Sequence, residues 1–368
     1  MKKFISLFLA VCMALPLFAQ ERGNINIPDL KGYVTLKCDF HIHTVFSDGR
    51  VTPEGRIKEA YSEGLDAIAI TDHVEGVRNK QNFVSHNHSY NQAQKAAKEM
   101  DMILIKGAEI TRQMPPGHSN AIFLTNTDEL DQPDYMDAYR AAKAQNAFII
   151  WNHPCWTRQQ PDTVLWWPEH TRLLQQGMMH GIEVVNGNNY SYCAEAHRWS
   201  LEKKLTMLGN WDAHLPSQFG TGKRAMTLVF ARSRTSDAIY EALMERRTAV
   251  YFEEYIIGEE KYLKELFEKA LEWQVTKTGR LLDPGELVRI TVKNNSGLTF
   301  LFRKNGSDSQ IKYLRNVTTI PFTVAPDGEY SFEVYMQEGV KSGNLNFIVE
   351  NFLVEPNKGM KYTVKIEE

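Results

Sequence analysis

The chain has 368 residues, of which 43% are hydrophobic and 24% charged, so it can bury a full core and is neither disordered nor fibrous. Its formal net charge of −3 provides no overall positive field, which argues against nucleic acid or an anionic membrane as a partner. We therefore expect any recognition of phosphate to come from a local site.

Residues 1–19 have the pattern of a secretory signal peptide. Two lysines precede an apolar stretch from Phe4 to Phe18, and Ala19 stands before Gln20 as at a peptidase cleavage site. We expect an exported, periplasmic protein whose mature chain begins near Gln20. The rest of the sequence contains no apolar run of the ~18 residues that a membrane span needs.

Three cysteines remain after such cleavage, Cys38, Cys155 and Cys193. Because this set is odd and sparse, we expect buried thiols rather than a disulfide framework. Cys155 lies two residues after His153, so a role as a soft metal ligand stays open.

Between residues 34 and 230, short β-branched apolar runs alternate with helix-like stretches. This alternation is typical of an α/β fold with βα units around a parallel sheet, and the number of runs favours a barrel of seven or eight strands. Thr52, Pro53 and Glu54 predict the start of the first helix. The predicted strands are 33–40, 66–70, 102–107, 120–124, 147–151, 181–185, 206–209 and 226–231.

The character of the sequence changes near residue 257. Residues 259–273 predict a charged amphipathic helix, and after residue 283 strand-like segments are separated by turn sequences such as those at 294–297 and 326–328. The spacing favours a small all-β sandwich. We therefore predict a barrel domain over 20–257 and a β-sandwich domain over 258–368.

Residue types that commonly bind metals recur at the ends of the predicted strands. His41 and His43 close the first strand, and because residues at i and i+2 project to the same side, both can bind one metal. The carboxyl ends of parallel barrel strands open on one face, so ligands from later strands should converge there. A face crowded with imidazoles and carboxylates is costly without a cation. The other members are Asp48, Asp72, His73, Glu109, His118, His153, Asp212 and His214.

These motifs resemble, in order, those of the PHP (polymerase and histidinol phosphatase) superfamily over about residues 33–252. The segment after Gly107 resembles exported CehA/McbA-like metallohydrolases, and the appended β domain resembles PHP phosphodiesterases with a C-terminal sandwich. The resemblance implies a distorted (β/α)7-like barrel and a metal-dependent phosphoesterase. The motifs are His41-x-His43, Ser47-Asp48-Gly49, Thr71-Asp72-His73, Gly107-x-Glu109, Gly117-His118, Asn152-His153-Pro154 and Asp212-x-His214.

The resemblance further implies three metal sites, holding two or three divalent ions per chain. Imidazoles mixed with oxygen ligands suit Zn, Mn or Fe. Asp72 is expected to orient a ligating imidazole. The implied sets are His41, His43 and Asp212 for the first metal, Glu109, His118 and His153 for the second, with Glu109 as the bridge, and Asp48, His73 and His214 for the third.

Two metals sharing Glu109 would generate a bridging hydroxide, because coordination lowers the pKa of water toward ~7. This hydroxide would attack a small-molecule phosphomonoester or phosphodiester, with Glu109, Asp212 and His214 as the catalytic residues. Two alternatives stay open: hydrolysis of a carbamate, amide or carboxyl ester, and a non-catalytic exported ligand-binding protein. Candidate substrate contacts are Arg78, Arg112 and Asn186, with Lys80, Arg158 and Arg198 as further possibilities.

Overall fold

The structure is a computed structural model that describes residues 21–75, 85–189, 191–217, 224–282, 284–313 and 321–367. The predicted signal peptide and the candidate substrate residues Arg78 and Lys80 lie outside these ranges. Within them, no helix is long and apolar enough to cross a membrane.

The first part of the chain forms a mixed α/β barrel, and each of the eight predicted strands is confirmed to within a few residues. The strands are β1 (Val34–Asp39), β2 (Ala67–Ile70), β3 (Ile103–Ile110), β4 (Ser119–Ile122), β5 (Phe148–Trp151), β6 (Gly181–Asn186), β7 (Ser191–Tyr192), β8 (Thr206–Asn210), β9 (Met226–Ala231), β10 (Thr248–Phe252) and β11 (Tyr255–Gly258). The helices are α1 (Pro53–Ser62), α2 (His88–Glu99), α3 (Tyr135–Ala144), α4 (Pro168–Gln175), α5 (Ala194–Lys203) and α6 (Ser236–Met244), with a 3-10 helix at Thr127–Leu130.

The barrel sheet is less uniformly parallel than the sequence pattern predicted. Its strand order is β11-β10-β9-β1-β2-β3-β4-β5-β6-β7, with β8 beside β6. Strands β1, β2 and β3 are parallel, as are β5, β6 and β8, whereas β4 is antiparallel to both neighbours. Only residues 111–118 separate β3 from β4, and a parallel crossover needs a dozen residues or more.

Side-chain hydrogen bonds join β8 to the opposite end of the barrel sheet. The Thr227 hydroxyl on β9 accepts from the Gly209 amide at 3.0 Å, and the Thr248 hydroxyl on β10 donates to the Met207 carbonyl at 2.8 Å. Phe40, directly after β1, donates its amide to the Asn210 side chain at 2.9 Å. These contacts bring the end of β8 beside the end of β1.

The second part of the chain is the predicted all-β domain, preceded by one helix. Its elements are α7 (Glu260–Ala270), β12 (Leu271–Leu281), β13 (Gly285–Asn294), β14 (Phe300–Ser307), β15 (Ile311–Tyr313), β16 (Phe322–Val324), β17 (Glu329–Gln337), β18 (Ser342–Glu355) and β19 (Lys358–Glu367). One sheet has the order β12-β13-β17-β15, and β16, β14, β18 and β19 form the facing layer. Phe332 and Phe347 contact each other between the layers at 6.3 Å.

The predicted helix 259–273 ends earlier than expected. Leu271 has an extended backbone, with φ −112° and ψ 135°, and begins β12. From Leu271 to Thr276 less exposed side chains alternate with exposed ones, which suits one covered face of a sheet. The predicted domain boundary at residue 257 falls inside β11, which pairs in parallel with β18 of the all-β domain.

The expectation that all three cysteines are free thiols is wrong. Cys155 and Cys193 form a disulfide with their Cα atoms 5.7 Å apart, whereas Cys38 is free and buried. Cys155 follows β5, and the β6–β7 hairpin brings Cys193 back to the same edge of the sheet. This proximity depends on the pairing of β5 with β6, which the spacing of cysteines along the chain does not show.

Candidate metal centre

All nine residues implied as metal ligands meet at one end of the barrel. Most of them follow the carboxyl ends of parallel strands, as predicted. His118 reaches the same place differently: β4 is antiparallel, so its start faces the site, and His118 immediately precedes it. Three overlapping groups have potential ligand atoms within 4.8 Å of one another, and they are His41, His43 and Asp212; His41, Glu109 and His153; and His43, Asp48, His73 and His214.

The first group has the spacing that a metal ion requires. The Nε2 atoms of His41 and His43 lie 3.1 Å apart, and they lie 3.3 and 3.2 Å from Asp212 Oδ1. A tetrahedral ion with ligand distances of 2.0–2.1 Å separates its ligands by roughly 3.3 Å. All three side chains are buried, and two facing imidazole nitrogens can share only one proton. These residues therefore fit a divalent cation.

Glu109 occupies the centre of the cluster. Its Oε1 atom lies 3.2 Å from His118 Nδ1, 3.4 Å from His41 Nε2 and 3.7 Å from His153 Nε2. Its Oε2 atom lies 2.6 Å from His73 Nδ1. The Glu109 side chain is 1% exposed, so both oxygens are directed at imidazoles rather than at water. This arrangement suits a carboxylate that serves two cations.

The third group lies nearer the surface. Asp48 Oδ1 lies 3.2 Å from His214 Nε2 and 3.5 Å from His73 Nε2, and the Asp48 side chain is 38% exposed. His43 also approaches this group, with its Nδ1 atom 3.8 Å from Asp48 Oδ1. Greater exposure fits a site that exchanges its ion more readily than the buried group does.

The charges of the cluster favour a bound cation. Burial lowers the pKa of His73, but Glu109 and Asp48 outweigh it and raise the pKa to about 10. Burial and the nearby His73 lower the pKa of His43 to about 4. Burial raises the pKa of Glu109, but His73 and His118 outweigh it and hold that pKa well below its usual range. The carboxylates thus favour a proton on a neighbouring ring such as His73. A divalent ion would supply the positive charge in place of that proton.

Glu183 on β6 contacts two of the implied metal ligands and was not predicted from the sequence. Its Oε1 atom accepts from His41 Nδ1 at 2.8 Å, which directs the other ring nitrogen toward Asp212. Its Oε2 atom accepts from the backbone amide of His153 at 2.7 Å. Such contacts fix the tautomer and orientation of a ligating imidazole. A single carboxylate within the otherwise apolar predicted strand 181–185 was the signal available in the sequence.

Two residues expected around the metals have different contacts. Asp72 accepts from the Thr44 amide and the Ser47 hydroxyl, both at 2.6 Å, and Ser47 in turn lies 3.4 Å from His43 Nδ1. Asp72 therefore reaches an imidazole only through Ser47. Asn186, expected to contact substrate, is 2% exposed and donates to Asp212 Oδ2 at 3.2 Å. Its amide therefore orients the implied metal ligand Asp212 instead.

Arg112, another expected substrate contact, forms hydrogen bonds and an ion pair with protein groups. Its guanidinium donates to the carbonyls of Gln132 and Pro133 and pairs with Glu75 at 2.6 Å. Glu75 also accepts from the Thr111 amide, so this pair holds the loop that follows β3. A substrate would have to compete with these partners for Arg112.

The loop after β5 places an aromatic ring beside the cluster. Trp156 is half-buried, with its ring 5.1 Å from that of His153 and 5.6 Å from that of His118, and the contacts are edge-to-face. The exposed Arg158 guanidinium lies 5.9 Å from the Trp156 ring. Arg158 was a predicted candidate for substrate contact, whereas Trp156, only three residues after the predicted ligand His153, was not.

Comparison with known proteins shows the family and the domain organisation of the chain. A PHP domain model matches residues 39–207, and an Ig-like domain model matches residues 274–365. A solved structure from Bacteroides vulgatus, a two-domain protein containing a predicted PHP-like metal-dependent phosphoesterase, has a TM-score of 0.87 and 46% sequence identity. That match covers 95% of this chain and 100% of the other. The chain therefore belongs to the PHP family, in the two-domain form that carries an Ig-like C-terminal domain.

Two curated proteins match shorter segments. An uncharacterised protein of Methanocaldococcus jannaschii is 35% identical over 86 residues, which are 22% of this chain and 36% of that protein. A 5'-3' exoribonuclease of Haemophilus influenzae is 32% identical over 80 residues, which are 21% of this chain and 24% of that protein. The chain thus matches well under half the length of either relative.

Proposed function

We propose that this protein hydrolyses phosphate esters with two or three divalent ions held by the cluster around Glu109. The observation that carries the proposal is the position of the Glu109 carboxylate. One of its oxygens lies 3.4 Å from His41 and 3.2 Å from His118, and the other lies 2.6 Å from His73. Membership of the PHP family and the name of the Bacteroides vulgatus relative support the same class of reaction.

Divalent ions bound there would supply a hydroxide at neutral pH and would polarise the phosphoryl oxygens. The protein residues fix the ligands before substrate arrives: Glu183 holds His41, and Asn186 holds Asp212. His214 is the most exposed imidazole of the cluster, with a side chain that is 24% exposed. When only two ions are bound and the group with Asp48 and His73 holds none, His214 is the ring best placed to pass a proton to the leaving group.

The test is an assay of purified, metal-replete protein with bis(p-nitrophenyl) phosphate and p-nitrophenyl phosphate, beside p-nitrophenyl acetate and an aryl carbamate. The proposal predicts hydrolysis of at least one phosphoester and inhibition by vanadate. A short oligoribonucleotide belongs in the panel because one relative is named an exoribonuclease. Hydrolysis of the acetate or carbamate alone would favour carbonyl chemistry, and no hydrolysis with metals bound would favour a ligand-binding protein.

We further propose export to the periplasm, with cleavage before Gln20. The charged and apolar pattern of residues 1–19 supports this location. The Cys155–Cys193 disulfide adds support, because disulfides persist in oxidising compartments. N-terminal sequencing of protein recovered from the native cell envelope should begin near Gln20, and intact Met1 in that material would refute export by cleavage.

A further inference from the structure

Arg56 is a buried cation on α1 whose side chain spans two distant segments of the metal cluster. It is 2% exposed. Its Nε atom donates to the His43 carbonyl at 2.9 Å, its Nη2 atom to the Ala213 carbonyl at 2.8 Å and its Nη1 atom to the Leu215 carbonyl at 2.9 Å. One guanidinium therefore bonds the segment after β1 to the segment after β8.

The three carbonyls belong to the backbone that carries the metal ligands. His43 is itself a predicted ligand, Ala213 lies between Asp212 and His214, and Leu215 follows His214. The two segments also bond directly, because the His43 amide donates to the Ala213 carbonyl at 3.0 Å. Arg56 thus adds three hydrogen bonds where the first and the last ligand segments meet.

A carboxylate on the same helix extends this contact. Glu59 Oε2 accepts from Arg56 Nη1 at 2.7 Å, and Glu59 Oε1 accepts from the Ser217 amide at 2.9 Å. The pair therefore satisfies the buried positive charge and also holds the segment that leaves His214. A charged hydrogen-bonded pair of this kind has a defined geometry, because the planar guanidinium directs its donors along fixed lines.

We propose that Arg56 is a positioning residue that sets the affinity of the cluster for metal by holding His43 in register with Asp212 and His214. Groups that orient metal ligands typically change metal affinity by about 10–100-fold when they are replaced. A lysine at this position keeps the charge, but its single ammonium cannot reach three carbonyls and Glu59 together. The inference rests on metal binding by the cluster and is independent of the substrate.

The test measures the Kd for Zn²⁺ and Mn²⁺ by competition with an indicator chelator. It compares the metal-stripped full chain with Arg56→Lys and with a matched control, Arg247→Lys.

Arg247 is a suitable control because it is 6% exposed and also donates to a backbone carbonyl, that of Phe230, and to a carboxylate, that of Glu241. Its guanidinium lies over the ring of Tyr33, directly before β1 and at the other end of that strand from His41. Both variants should lower the unfolding temperature of metal-free protein, but only Arg56→Lys should weaken metal binding, by about 10–100-fold.

Wild-type metal affinity in folded Arg56→Lys would overturn the inference, as would an equal loss of affinity in Arg247→Lys. If Arg56→Lys does not fold, Glu59→Gln decides, because it keeps the shape of the side chain and removes the charge that holds Arg56. Weaker metal binding by Glu59→Gln supports the inference, and unchanged binding refutes it. A wild-type chain that binds no metal would refute the proposed function itself, which separates the two failures.

Discussion

The Nε2 atoms of His41 and His43 face each other at 3.1 Å, and Asp212 Oδ1 completes a triangle with sides of 3.1 to 3.3 Å. Within the described residues, this triangle is the arrangement that best fits a divalent cation. Metal should therefore stabilise the fold, because an ion that binds only the native state shifts the unfolding equilibrium toward that state.

Asp212→Asn should remove about one bound metal per chain and reduce the rise in unfolding temperature that added Zn²⁺ produces. An amide keeps the size of the side chain but lacks the charge that balances a divalent ion. Metal analysis and thermal unfolding provide the measurement. Asp327→Asn is the matched control, because Asp327 lies in an exposed turn with φ 51°, a conformation that asparagine tolerates. An equal effect of both variants would contradict the role of Asp212.

His73→Ala should lose about one metal per chain and most of the activity while staying folded. The side chain of His73 is 15% exposed and belongs to the more open group with Asp48 and His214, so its removal leaves no large cavity in the core. Added Mn²⁺ should partly restore wild-type enzyme after mild chelation, because the Asp48 carboxylate suits harder ions. His73→Ala with the wild-type metal count and rate would show that this group has no part in turnover.

His180→Ala provides the contrast for that experiment. His180 accepts the Ile149 amide at 3.0 Å between two barrel strands and belongs to none of the metal groups. Its loss should lower stability without lowering the metal content. Together the two variants separate a ligand from a histidine that supports only the fold.

Much of this arrangement follows from the sequence, and the exceptions share a physical reason. Strand-end placement of His41 and Asp212 predicts their convergence, because parallel strands open on one face of a barrel. Glu183 and Arg56 were not predicted because the backbone and ring atoms that they contact at the cluster lie more than ten residues away along the chain. Periodicity shows that such residues belong to a strand or helix, but it does not show which distant carbonyl or amide their side chains reach.

The antiparallel direction of β4 and the Cys155–Cys193 disulfide were not predicted, for a similar reason. Both depend on which strands become neighbours, and local patterns leave that choice open. The predicted strands 102–107 and 120–124 leave twelve residues between them, enough for a crossover, and only the longer observed β3 shortens the connection to eight. The disulfide had no signal in the sequence, because 38 residues separate its cysteines.

Stability should fall as the pH drops from about 6.5 to about 4, in part through His170. Burial lowers the pKa of His170 to about 4, and its neutral ring accepts the Trp167 amide and donates to the Pro116 carbonyl. Below pH 6.5 the unfolded chain therefore binds more protons at this residue than the folded chain does, which favours unfolding.

His170→Gln should be less stable than wild type near pH 7, and the difference should shrink by up to about 3 kcal/mol at pH 4. His180 and His197, whose pKa values burial also lowers to about 4, keep part of the slope in both proteins. Chemical unfolding of metal-free protein across this range is the measurement. Parallel stability profiles for the two proteins would contradict the assignment.

The most direct test of a metal cluster centred on Glu109 is a titration of metal-stripped protein with Mn²⁺, in which bound metal and hydrolysis of bis(p-nitrophenyl) phosphate are followed together. The wild type should gain activity only as a second ion binds, and Glu109→Gln should bind fewer ions and turn over at least about 100-fold more slowly, because an amide cannot hold two cations together. Glu99→Gln, at a side chain that is 64% exposed on α2, should match the wild type. Full activity of the wild type without metal, or wild-type metal content and turnover in Glu109→Gln, would contradict the account.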